Sequence, residues 1–234
     1  MRTLTIVKTD FKNIFRDPSL IMIFIVPILI LALLRFVLPL IESYIPKVYE
    51  YRLLILGTFC LTVSALTSFL LSFVILDEKD QELFQVFRVM PFTFPKLTLL
   101  RTMTMLATGF VFCLMLIAGS GLVKLNIPQM IILSLLSSLS GPGNAMLIVS
   151  IANNKIEGAT YFKLLNMFIM APLAGVFITG PMKYLLGLIP FFWVFIAFMN
   201  YDTPALFYLY SGIGFVSHLL YLEITFRLFL RKNN

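Results

Sequence analysis

Few side chains in the apolar part of this chain can do chemistry: His218, Glu223, Arg35, the thiols of Cys60 and Cys113, and the hydroxyls of Thr58, Thr62, Ser64, Ser68 and Ser72. Titratable groups in apolar stretches raise the question of proton coupling, which His218, Glu223 or Arg35 would serve in an ion-coupled secondary transporter. Each also has an ordinary role. Glu223 stands four residues before Arg227, the spacing of a helical ion pair. Arg35 is close enough to the end of its apolar run to snorkel to headgroups, and a lone histidine commonly packs as a hydrogen-bonded core side chain. The absence of internal repeats and of paired intramembrane carboxylates weighs against the ion-coupled alternative. With one histidine in the chain and no nucleophile–base pair, a membrane-embedded enzyme or a metal site has no constellation to rest on, so no catalytic or metal residue is assigned. Cys60 and Cys113 read as small hydrophobes, with no disulfide framework.

The hydroxyls carry more information. At about 100° per residue, Thr58, Thr62, Ser64, Ser68 and Ser72 occupy an arc of a little under half a helix circumference. Such an arc either lines a route for cargo or packs closely against another helix through small residues. Sparse charge argues against a path for ions or highly charged sugars and favours amphipathic or hydrophobic cargo.

The elements that must position these groups are membrane spans. Hydrophobic residues make up 60% of the chain and charged residues 12%, about half the usual charged share of a soluble domain. Six apolar runs are long enough to cross about 30 Å of hydrocarbon: Leu20–Ile41, Leu53–Leu76, Thr102–Val123, Met130–Ile151, Leu164–Gly180 and Pro204–Phe226. A shorter run, Tyr184–Met199, reaches only about 24 Å as a helix and is expected to dip into the outer leaflet and return. The fold class is therefore an all-α polytopic membrane protein forming one transmembrane domain over residues 1–234. Within it, residues 1–19 precede the spans, 20–180 hold spans 1 to 5, 181–203 hold the re-entrant segment, and 204–234 hold span 6 and a basic tail.

Charge orients it, because cytoplasmic segments retain lysine and arginine. Arg2, Lys8, Lys12 and Arg16 precede span 1; Lys79, Arg88, Lys96 and Arg101 follow span 2; Lys155 and Lys163 follow span 4; Arg227, Arg231 and Lys232 close the chain. Both termini are expected in the cytoplasm of a bacterial cell, with the protein multi-pass in its plasma membrane. The net charge of +7 is a topology signal spread over four segments, not a nucleic-acid footprint. The N-terminus lacks the features of a cleaved signal, since its first apolar run has full spanning length.

Three further segments stand out. Leu4, Val7, Phe11, Ile14 and Phe15 recur at helical spacing opposite Lys8, Lys12 and Arg16, which describes an amphipathic helix lying in the membrane interface; Asp17-Pro18 then reads as a cap opening span 1. After span 2, Asp77, Glu78, Asp80 and Glu82 are expected in the first turn of a short cytoplasmic helix, followed by Leu83, Phe87 and Met90 as an apolar stripe with Val86 beside it, ended by Pro91 and Pro95. Phe84 and Phe87 need a protein or membrane surface over them. On the opposite side, Phe191, Phe192 and Trp193 sit among further aromatics, as either an interfacial belt or a hydrophobic outer gate. Span 4 is interrupted at Ser140-Gly141-Pro142-Gly143-Asn144, as a hinge or as a packing notch.

Lys12-Asn13-Ile14-Phe15-Arg16-Asp17-Pro18 with Pro27, then Glu78-Lys79-Asp80-Gln81 leading to Pro91-Phe92-Thr93, and the late run Pro172, Gly180-Pro181, Ile189-Pro190, Trp193 and Pro204 resemble permease subunits of type-2 ATP-binding-cassette exporters along essentially the whole chain. The resemblance implies that the N-terminal helix, including Arg16 and Asp17, is the connecting helix and that Tyr184–Met199 is an outer re-entrant hairpin. It makes Asp77, Glu78, Lys79, Asp80, Gln81, Glu82, Leu83, Phe84 and Phe87 the coupling element that a cytoplasmic ATPase grips. Where the family often places a glycine after the acidic start, this chain has Glu82. No phosphate-binding Gly-x-x-x-x-Gly-Lys-Ser/Thr loop is present, so ATP and Mg are expected on partner ATPase subunits, and no cofactor or enzymatic activity on this chain. The resemblance further implies a second permease copy, as a homodimer or close heterodimer, and export of a drug, antimicrobial peptide or peptide toxin.

Overall fold

Helix is the answer wherever a backbone must satisfy its own hydrogen bonds away from water, and every regular element among the described residues is helical. The computed structural model describes residues 18–82, 94–178 and 180–233. The interfacial-helix residues Leu4, Val7, Phe11, Ile14, Phe15, Arg16 and Asp17, and the coupling residues Leu83, Phe84 and Phe87, lie outside them.

Helix α1 (Pro18–Ala32) runs through a π-helical turn, Leu33–Val37, into α2 (Leu38–Tyr44). Pro39 in the first turn of α2 has no N–H for the Arg35 carbonyl, and the backbone widens there. A 3-10 turn, Pro46–Tyr51, leads into α3 (Arg52–Asp80), then come α4 (Phe94–Ser120), α5 (Ile127–Ser138), α6 (Ser140–Ile151) and α7 (Lys155–Ala174). Short 3-10 segments, Gly175–Phe177 and Pro181–Leu188, precede α8 (Phe191–Met199) and α9 (Pro204–Asn233).

Five candidate spans among the described residues are long and apolar enough to cross a membrane: Ile23–Tyr44, Pro46–Asp80, Lys96–Ser120, Ile127–Ile151 and Pro204–Lys232. Two of them form the centre, α3 and the α5–α6 pair, with 67% and 78% of their apolar windows buried against 22–33% for the other three. The outlying helices turn exposed Ile28, Leu29, Phe36, Val111, Val216, Leu219 and Leu220 outward, the surface a lipid environment favours.

The central packing depends on missing side chains. A Cβ on Gly141 would stand 2.7 Å from Thr67 Oγ1 and 2.8 Å from the Ser64 carbonyl oxygen, so α6 meets the backbone of α3 directly. The interruption expected over Ser140–Asn144 falls one residue earlier, at Leu139, and the Gly-Pro-Gly run is helical within the first turn of α6. Pro142 lacks the N–H that would serve the Ser138 carbonyl four residues back. Ser64 Oγ on α3 donates to that carbonyl instead, at 3.2 Å. This arrangement supports the packing-notch reading of the motif.

The expected fifth span, Leu164–Gly180, is not among these five, and the helix that overlaps it is shifted. Helix α7 starts nine residues earlier, at Lys155, because Asn154 caps it by accepting from the Glu157 N–H and the Glu157 carboxylate accepts from the Asn153 N–H. Pro172 and the 3-10 turn end it short of Gly180, whose φ of +93° is a glycine conformation. At about 1.5 Å per residue α7 is about 30 Å long. It runs from the Asp80 end of the bundle to the Arg52 end, where the Phe177 ring lies 6.1 Å from Tyr51. The chain then turns inward: Phe191, at the start of α8, packs edge-on against His218 and Tyr221, far along α9, at 6.1 and 6.0 Å. By Tyr201 it has returned, and the Tyr201 carbonyl accepts from Gln129 Nε2 at the head of α5.

Candidate functional site

The five hydroxyls of α3 divide by direction. Ser64, Ser68 and Ser72 are buried; Ser68 and Ser72 donate to carbonyls of their own helix, Ala65 and Phe69, and Ser64 serves Ser138 as described. Thr58 and Thr62 are half-buried and donate to Leu54 and Thr58 carbonyls. Thr58 opens into an apolar cavity of about 310 Å³ lined by Tyr51, Leu54, Ile55, Phe59, Leu173 and Phe177, between the Arg52-end half of α3 and the end of α7. Three aromatic rings, with the hydroxyls of Thr58 and Tyr51 as the polar groups, suit a flat, mostly apolar molecule that can donate a hydrogen bond. The helical phase of the hydroxyls was legible in the sequence. That Thr58 faces a cavity while Ser64 faces a proline-freed carbonyl was not, because both depend on which helix lies alongside.

His218 has an ordinary explanation in the structure. Its Nδ1 lies 2.8 Å from the Gly214 carbonyl, which can only accept, so Nδ1 carries the proton. Nε2 then accepts from Ser140 Oγ at 3.1 Å, and a neutral imidazole is fully satisfied. One turn on, Tyr221 donates to Asn144 Oδ1 at 2.9 Å, its ring resting where Gly143 has no side chain. These bonds pin α6 to α9 in the middle of the bundle. Glu223 accepts from Arg227 at 2.5 Å, and the guanidinium of Arg35 reaches Gly121 just beyond the end of α4. Of the titratable groups weighed for proton coupling, His218 and Glu223 are thus accounted for by local partners, and Arg35 packs against Gly121.

The acidic run after span 2 is placed differently from the expectation. Asp77, Glu78, Lys79 and Asp80 form the last turn of α3, not the first turn of a separate helix, since nothing after Leu76 interrupts the helical backbone until Gln81. Glu82 then takes a left-handed φ of +57°, the helix-terminating conformation that glycine adopts without strain. Its N–H bonds the Lys79 carbonyl at 3.1 Å. Acidic groups at a helix C-terminus are opposed by the dipole, and here each finds a cation or an N–H elsewhere. Glu78 makes a two-pronged pair with Arg101 of α4, at 2.6 and 2.7 Å, both side chains largely buried. Asp77 pairs with Lys155 Nζ at 2.5 Å, and Asp80 accepts from the Lys155 backbone N–H at 3.1 Å. Lys79 donates to the Ala152 carbonyl and Lys232 of α9 to the Ile151 carbonyl, at 3.0 and 3.1 Å, capping the exposed carbonyls of α6. Lys155, Arg101 and Lys232 entered the sequence reading only as topology markers; their spacing along the chain, 20 residues or more from their carboxylate or carbonyl partners, hides the pairing.

The aromatic trio also separates. Phe191 and Phe192 are buried in the bundle. Trp193 donates Nε1–H to the Gly187 carbonyl at 2.8 Å and stacks with Tyr184 and Tyr210, whose hydroxyls are 3.0 Å apart. At the Arg52 end, the Arg52 guanidinium pairs with Glu42, lies 4.1 Å from the centre of the Tyr49 ring and borders a polar cavity with Lys124 and Tyr201.

Residues 10–226 match a family model described as fluoroquinolones export permease protein Rv2686c-like. The chain is 26% identical to the fluoroquinolones export permease protein MT2760 of Mycobacterium tuberculosis strain CDC 1551 / Oshkosh, and equally to fluoroquinolones export permease protein Rv2686c of strain H37Rv. In each case the similarity covers 97% of this chain and 93% of the relative. No solved structure matches.

Proposed function

The chain belongs to the Rv2686c-like family of export permeases, and from that membership we propose that it is the membrane subunit of an ATP-driven exporter of flat amphipathic compounds. The relatives' names specify fluoroquinolones; aromatic drugs of that shape are the cargo proposed here. The cavity between α3 and α7, with Tyr51, Phe59 and Phe177 around Thr58, carries this reading. Energy comes from separate cytoplasmic ATPase subunits holding ATP and Mg, which engage the segment from Asp77 to Phe87, and a second permease copy completes the assembly. In the membrane α7 makes a sixth span, and residues 181–203 form an outer re-entrant hairpin, a reading supported by the inward position of Phe191 and the return of Tyr201 to the head of α5. Phe191 and Phe192 close the outer route as packed side chains. The N-terminal segment lies on the inner face as the connecting helix.

Vesicles holding purified complex test the cargo site. Thr58→Leu adds volume in the cavity without adding polarity, and should lower export of a fluorescent fluoroquinolone by roughly tenfold while assembly stays normal. Ser68→Leu should do something different: it overpacks a closed interface at about 1–3 kcal/mol and lowers the yield of assembled complex. Unmodified export by Thr58→Leu complexes would remove the cavity from the route.

Orientation is read independently. A cysteine at Lys124 should be labelled by an impermeant reagent outside intact cells, and cysteines at Gln85 and Asn233 should be protected. Equal labelling at Asn233 would place the C-terminus outside and rule out the re-entrant hairpin.

A further inference from the structure

The contacts at the Asp80 end do more than neutralise charge, because, of three residues in one helical turn, Lys79 reaches the short connection between α6 and α7, and Asp77 and Asp80 reach Lys155, the first residue of α7 beside it. That connection, Ala152–Asn154, carries almost no slack: the Ala152 N–H still bonds the Ile148 carbonyl, and Asn154 already caps α7. Anything that moves it moves both helices. Lys79 and Lys232 hold adjacent carbonyls of the same α6 terminus, so α9 is tied to the same point. Higher up, α6 is pinned to α9 again by Ser140–His218 and Asn144–Tyr221.

We propose that Lys155 is a positioning residue for transport, because it fastens the α6–α7 connection to the last turn of α3 with its ammonium on Asp77 and its backbone N–H on Asp80. The inference rests on the ATP-driven reading above. A pull on the segment that follows Gln81 then displaces α3, α6 and α7 as one body, and α9 follows through its bonds to α6. Without Lys155 the pull would still reach α4 through Glu78 and Arg101 and the end of α6 through Lys79, but the start of α7 would lose its direct bonds to α3 and follow less closely. Cavity residues Leu173 and Phe177 lie on that lagging element and Thr58 on α3, so loss of the fastening changes the cavity's shape during the cycle.

The pair is exposed enough for a clean test, with side chains 36% and 44% accessible. Exposed ion pairs contribute little to static stability, so exchanging their charges should not prevent folding. Lys155→Asp should leave recovery of the partner ATPase unchanged but reduce fluoroquinolone export from vesicles by roughly fivefold or more, the range of a lost coupling contact. The double exchange Asp77→Lys with Lys155→Asp should return most of the export, which a merely structural role for Lys155 in capping α7 would not. Unaltered export by Lys155→Asp, or a double exchange that retains the partner ATPase yet exports no better than the single one, would overturn the proposal. Spin labels at exposed Glu82 and Ile156 give a readout that needs no ATPase. In the vesicle-reconstituted chain alone their separation should be narrow, broadened by Lys155→Asp and narrowed again by the double exchange; an unchanged distribution in the single variant would also overturn it. If no ATPase co-purifies with the unmodified chain, the energy source is wrong, and the spin-label distances still decide the fastening.

Discussion

Replacing Phe84 and Phe87 together with serine is expected to abolish co-purification of a partner ATPase while the chain still inserts into the membrane. The two rings follow the last turn of α3, whose own acidic residues are already engaged inside the chain by Arg101 and Lys155. The aromatic rings are therefore the main apolar groups this segment offers a partner. Aromatic anchors that fill a pocket commonly carry about 2 kcal/mol or more each, so removing both should lower affinity by more than about a thousandfold. Membrane insertion depends on the spans, which the substitutions do not touch. Undiminished ATPase recovery with the double variant would sink the assignment of this segment as the coupling element.

Gly141→Ala is expected to be among the most destabilising single-methyl additions in the chain. The new Cβ would meet the Ser64 carbonyl at 2.8 Å and Thr67 Oγ1 at 2.7 Å. The first is backbone and cannot rotate away, so α6 must withdraw from α3. Withdrawal also lengthens the Ser64 bond to the carbonyl that Pro142 leaves unpaired, exposing a polar group to an apolar interior. Overpacking at about 1–3 kcal/mol and a lost buried hydrogen bond at about 1–3 kcal/mol act together here, and the unfolding midpoint of the detergent-solubilised chain should fall clearly. Gly212→Ala is the matched control: nothing lies within 4 Å of its Cβ, and alanine is the better helix former by about 1 kcal/mol. A midpoint for Gly141→Ala equal to that of Gly212→Ala would mean that α3 and α6 are not in backbone contact.

Helicity, the approximate edges of the long apolar elements and the family were all legible in the sequence, because each rests on local information. Apolar runs such as Leu53–Leu76 have no other fate than helix in a membrane, and the structure extends that run only to Arg52–Asp80. The same local reasoning misjudged the polar borders. It placed Asp77–Glu82 at the start of a helix because acidic residues favour an N-terminus, whereas Arg101 and Lys155, distant in sequence, compensate those charges at a C-terminus. It began span 5 at Leu164, after Lys155 and Lys163, whereas Asn154 caps a helix that starts at Lys155. Period alone put Thr58 and Ser64 on one arc; the neighbouring helix decided that the first faces a cavity and the second a carbonyl. Periodicity states which residues share a face of a helix, and apolarity states that the helix is embedded. Which partner meets that face depends on long-range packing, where one absent Cβ or one proline-freed carbonyl outweighs any local preference, and only the tertiary structure decides it.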